Sequence, residues 1–127
     1  MRRRSCGKTW EWDAVVEELQ HWVRARPAHA PLLDLSELLA GSRSAPGLFP
    51  GVSYDGLLIT NGPEFYRDDK VLFVTHYPEQ RQFRLQYRLH GHIHSERLCS
   101  EADLVPVLTA VLHDCYGITL DPAPRNG

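Results

Sequence analysis

Imidazole is the side chain best suited to move protons or hold a transition metal near neutral pH, and four imidazoles cluster in the second half of this chain. His90, His92 and His94 lie in the run Leu89-His90-Gly91-His92-Ile93-His94, with His76 upstream in Val74-Thr75-His76-Tyr77-Pro78. Residues two apart on a β-strand share a face, so His92, His94 and Glu96 form a row of donors. Fully extended, that row spans about 13 Å, too long for one ion unless the strand bends. A metal-dependent hydrolase using His76, His92 and His94 is one alternative. No other catalytic pattern is present. The glycines at 47, 51 and 56 fit neither a Walker nor a dinucleotide phosphate loop, and no Ser or Cys occupies a nucleophile elbow. His113, Asp114 and Cys115 are consecutive, and on a helix they point about 100° apart and do not converge.

Two segments, Phe73-Val74-Thr75-His76-Tyr77-Pro78 and Leu89-His90-Gly91-His92-Ile93-His94, resemble the last two motifs of the calcineurin-like metallophosphoesterases. The resemblance implies His76 and His94 as ligands of a two-metal phosphoesterase site, with His92 as a neighbouring hydrogen-bond donor. It covers residues 71–95, and the family's earlier Asp-x-His, Gly-Asp-x-x-Asp and Gly-Asn-His motifs have no counterpart upstream. Strand geometry sets a further condition. The turns described below put His76 and His92 about 20 Å apart, whereas ligands of one ion each lie within about 2 Å of it.

The histidines need a scaffold, and 127 residues with 43% hydrophobic and 24% charged side chains supply one domain with one core. A single domain over 1–127 is expected, with 1–8 and 119–127 as flexible termini. A net charge of −2 excludes a domain that binds nucleic acid through bulk positive charge. No run reaches the ~20 apolar residues of a membrane span, and no apolar segment follows the basic start Met1-Arg2-Arg3-Arg4. A cytoplasmic protein with no membrane partner is expected. Cys6, Cys99 and Cys115 form no CxxC pair, which points to reduced thiols, with Cys115 packed as a small hydrophobe. No cofactor is expected.

Trp12, Val15, Val16, Leu19, Trp22 and Val23 recur at helical spacing, with Thr9 as cap and Pro27 as stop. A second helix is predicted over Pro31–Ala40, with Leu32, Leu35, Leu38 and Leu39 inward and Gly41 as terminator. Pro46, Gly47, Pro50 and Gly51 make Ser42–Gly56 a long loop, whose Leu48, Phe49 and Tyr54 are either pinned to the core or a contact surface. Four strands follow, at Leu57–Thr60, Val71–Tyr77, Gln82–Leu89 and about His92–Leu98, with Glu64–Asp69 a polar connection. Ser100 or Asp103 opens a terminal helix that buries Leu104, Leu108, Val111, Leu112 and Cys115 and ends at Gly117. The fold class is α+β: two layers, a mainly antiparallel four-stranded sheet with helices on one face, in the order α-α-β-β-β-β-α.

A four-residue turn at Pro78–Arg81 pairs Tyr77 with Gln82, His76 with Phe83, Val74 with Leu85 and Leu72 with Tyr87, so the apolar side chains share one face. The next strand is ambiguous. A two-residue turn at His90-Gly91 sends His92, His94 and Glu96 inward, whereas a three-residue turn sends Ile93, Ser95 and Arg97 inward; a partly exposed edge strand is expected. The other face carries Val71, Phe73, Thr75 and Tyr77 beside Gln82, Arg84, Gln86 and Arg88. Alternating aromatic and cationic groups suit a protein partner or, secondarily, a single-stranded nucleic acid; alternatively, Arg and Gln stems simply shield a solvated face. The expected function is a small non-catalytic protein-binding module, such as an accessory, inhibitor or immunity-type protein or a subunit of an assembly. Phe73, Tyr77, Arg84 and Arg88 are its partner-binding residues, and no catalytic residue is expected.

Overall fold

Helix α1 runs over Trp12–Ala25 and buries Val15 and Leu19, with Asp13 in its first turn and Arg24 in its last, as the helix dipole favours. The computed structural model describes residues 10–53, 56–62 and 70–121. The expected cap Thr9 therefore lies outside the described residues, as do Tyr54 and the Glu64–Asp69 connection. A 3₁₀ turn at Pro27–His29 reverses the chain into α2, Ala30–Gly41, which buries Leu32, Leu35 and Leu39.

Within the expected long loop the structure departs from the sequence reading. Ala45–Gly47 is a 3₁₀ turn, and Phe49–Val52 form a strand, β1, paired antiparallel with β2, Gly56–Thr60. The sheet thus has five strands rather than four, and the order becomes α-α-β-β-β-β-β-α. Pro50 is tolerated because β1 lies at the sheet margin, where a missing N–H does not interrupt a ladder on both sides. The Pro50 carbonyl still accepts the Trp10 backbone N–H at 2.8 Å.

Strands β3 (Lys70–Tyr77), β4 (Gln82–Leu89) and β5 (His92–Ser100) complete an antiparallel meander in the order β1-β2-β3-β4-β5. The β3–β4 register is the expected one, with Leu72 opposite Tyr87, Val74 opposite Leu85 and His76 opposite Phe83. Leu72, Val74, Phe83, Leu85 and Tyr87, with Leu57 and Ile59 of β2, join Leu19, Leu32, Leu108 and Leu112 in one apolar cluster. Tight turns at both ends set the pairing. Arg81 (φ 54°) closes the first, and His90 (φ 51°) with Gly91 (φ 80°) makes the second, the left-handed pair a two-residue hairpin needs.

Neither single register anticipated for β5 holds throughout. His92 faces Leu89 and Ile93 faces Arg88, as a two-residue turn dictates, but Ser95 then faces Tyr87. His94 is the extra residue of a bulge, and beyond it Arg97 and Cys99 take the inward places opposite Leu85 and Phe83.

The Ser100 hydroxyl accepts the Asp103 N–H at 3.2 Å, a 3₁₀ turn spans Glu101–Asp103, and helix α3 runs over Leu104–Tyr116 to a left-handed Gly117. Pro106 sits in its first turn, where no helical N–H is lost. The tail expected to be flexible from 119 is anchored at its start. Leu120 is buried, and the Asp121 N–H donates to Ser44 Oγ at 2.7 Å. Residues 1–8 and 122–127 lie outside the described residues. No described helix is long and apolar enough to cross a membrane.

Gly56 tests the β2–β3 contact. A Cβ there would collide with the Val74 carbonyl oxygen, whereas a Cβ at Gly41 meets nothing. Gly56→Ala is expected to lower the unfolding free energy by about 1–3 kcal/mol in urea titration, and Gly41→Ala to leave it equal or higher. Equal stability of both variants would contradict the close approach of β2 to β3.

Candidate functional site

The pleat of β3 and β4 puts Phe73 and Tyr77 on the same side as Arg84 and Arg88, away from the helices, so the structure brings the four expected partner-binding residues together. Each is half-buried. The Arg88 guanidinium lies over the Phe73 ring at 4.3 Å, and that of Arg84 lies 5.8 Å from the Tyr77 ring centre. Both arginines reach diagonally, since Arg88 is paired with Val71 and Arg84 with Thr75. Between them Gln86 is only 3% exposed; its amide donates to Glu96 at 2.6 Å while its carbonyl accepts from Arg88 Nε at 2.6 Å. Arg88 is thereby occupied at both ends. Arg84 is not: its Nε is buried without a hydrogen-bond partner among the described residues.

The same face continues onto β5, where Ile93 stands beside Arg88 and Leu98 beside Arg84. One has an odd number and the other an even one, so only the bulge at His94 lets them share a face. They are 58% and 63% exposed, the large hydrophobic side chains left most open among the described residues. Sequence reasoning missed this pair because their spacing of five fits no unbroken strand.

His76 belongs to the opposite side. Its side chain is fully buried, stacked on Phe83 at 4.5 Å, with Nε2 donating to Glu101 Oε2 at 2.8 Å. Its Nδ1 lies 3.1 Å from Nδ1 of His29, whose ring packs edge-on against Trp22. A hydrogen bond between two ring nitrogens holds one proton, so a neutral His76 that donates to Glu101 accepts from His29. This clasp ties the α1–α2 junction, the end of β3 and the start of the α3 region together. The sequence does not mark His29, which lies between Pro27 and Pro31 in what reads as a connection.

His92 and His94 lie at the far end of β5 from this clasp, since His76 shares its row with Phe83 and Cys99. Five strand residues separate Cys99 from His94, about 16 Å, so His76 is not gathered with them. The His94 ring instead meets Tyr87 edge-on at 5.9 Å. Among the described residues no group of three or more His, Cys, Asp or Glu side chains is placed to hold a metal ion. Burial, and secondarily the nearby Cys115, pushes the Tyr87 phenol up, so it remains an O–H donor to the Cys115 carbonyl at 3.4 Å. Burial also raises the Cys99 thiol, with Asp103 adding to it.

No protein-family model, curated protein or solved structure matches this chain. The likeness of the two histidine segments to metallophosphoesterase motifs therefore stands without a family match over the whole chain.

The clasp predicts a measurable coupling. His29→Phe and His76→Phe each remove one side of the Nδ1 pair, and each is expected to cost about 1–3 kcal/mol in chemical denaturation. The double variant is expected to cost less than the sum of the two by about 1 kcal/mol. Strict additivity would contradict a direct bond between the rings.

Proposed function

We propose that this protein is a small non-catalytic binding module that receives an extended segment of a protein partner along the β5 edge and the adjoining sheet face, which no described helix covers. The observation that carries the reading is the exposed pair Ile93 and Leu98, set on one face and each beside an arginine. All of β5 except Cys99 is exposed, and no strand lies beyond it among the described residues, so its outer N–H and C=O groups offer a template for strand addition.

The chemistry of the surface specifies the occupant. Ile93 and Leu98, exposed beside Arg88 and Arg84 respectively, suit a segment in which apolar residues alternate with a carboxylate. Arg84 is the expected anchor for that carboxylate, while Arg88, already engaged by Phe73 and Gln86, shapes the surface more than it binds. That engagement, with the net charge of −2, also disfavours the nucleic-acid reading. Cys99 and Cys115 are free thiols, which accords with a reducing, cytoplasmic setting.

Selection of linear peptides from a random displayed library on the immobilised protein tests this. Enriched sequences are expected to alternate apolar and acidic residues, and their affinity to fall at least about tenfold on Leu98→Ser or Arg84→Gln, with less effect from Arg88→Gln and an unchanged melting temperature. Peptides that bind the variants as well as the parent would contradict the surface, as would a failure to enrich any. Salt-dependent binding of oligouridylate, lost in Arg84→Gln, would replace the protein partner with RNA.

A further inference from the structure

On the helix side of the sheet, away from the face just described, a cleft of about 450 Å³ opens between α3 and the outer strands. That volume falls in the range of small-molecule sites. Its floor is apolar, formed by Leu85 and Leu89 of β4 and Val111 of α3, and its rim is polar, with Lys70, His94, Ser95 and Arg97. The β5 bulge creates the rim. In an unbroken strand His94 and Ser95 would point to opposite faces, but with both residues set against Tyr87 the strand presents them to the same side. Tyr87 forms a fixed aromatic wall, since its ring meets His94 at 5.9 Å and Tyr116 at 5.4 Å, both edge-on.

The charges do not cancel within the cleft. Lys70 and Arg97 form no ion pair with any carboxylate among the described residues, and Asp114, the acidic group of the lining, lies 3.8 Å from His113 on its own helix. One positive charge is in excess, which matches a monoanion better than a dianionic phosphate. Burial raises the Cys115 thiol, reinforced by Asp114 and opposed by Arg97 and the Ser95 hydroxyl. A thiol rather than a thiolate therefore faces the cleft near neutral pH, which suits binding and not covalent chemistry.

We propose that this cleft is a binding site for a small amphipathic organic anion, its carboxylate held by Lys70 and Arg97 and its apolar body resting on Leu85, Leu89 and Val111. The cleft opens on the other side of the sheet from Phe73, Arg84 and Leu98, and shares only the strand β5 with the partner-binding surface.

Octanoate is the probe, followed by calorimetry and by amide chemical shifts, with octanol and inorganic phosphate as comparators. Saturable octanoate binding with a Kd of about 1 mM or tighter is expected, shifting the amides of Ser95, Arg97 and Cys115. Arg97→Gln and Lys70→Gln, both at exposed positions, are expected to weaken it by about tenfold each at an unchanged melting temperature. No saturation by about 10 mM would overturn the proposal. So would undiminished binding by both variants, octanol binding as tightly as octanoate, or phosphate binding as tightly at the same amides.

Discussion

Eight consecutive residue pairs hold β3 to β4, and their two-residue period obliges Leu72, Val74, Phe83, Leu85 and Tyr87 to share one face. Each contributes about 1.5–3 kcal/mol by leaving water, so a slip of one residue, which would turn all five outward, is not competitive. Everything else is arranged against this ribbon. The helices supply the other half of the core, β2 and β5 pair with its two sides, and the histidine clasp fastens one of its ends to the helical layer.

The same period decides what is left over. With the apolar set turned inward, Phe73, Tyr77, Arg84 and Arg88 must face the other way, where no described helix lies. Arginine is a suitable neighbour for aromatic rings there, because its planar cation lies flat on them and shields sheet surface while its stem stays apolar. On β5 no such shielding is provided. The bulge at His94 divides that strand's work, giving Ile93 and Leu98 to the open face and His94, Ser95 and Arg97 to the cleft beneath α3.

The β3–β4 register was legible in the sequence because a turn of defined length joined two strands with clean alternation, and α1 and α3 were legible from their apolar stripes and stops. β1 was not, since Pro50 and Gly51 read as breakers wherever a strand has neighbours on both sides, and only its marginal place makes them acceptable. The bulge left no mark either. His90-Gly91 fits a two-residue turn, yet the pattern beyond Ser95 fits a three-residue one, and a bulge satisfies both readings in one strand. Of the site, the four residues on β3 and β4 follow from the alternation alone. Ile93 with Leu98, and His29 with His76, depend on tertiary placement that spacing does not encode.

Whether β5 is an uncovered edge can be read directly from amide hydrogen exchange in the isolated protein at low concentration. Slow exchange is expected throughout β3 and β4, and along β5 an alternation of slow amides bonded to β4 with fast ones facing outward, the phase shifting at His94 and Ser95. Uniformly slow exchange along β5 would mean that its outer edge is already paired and closed to an added strand.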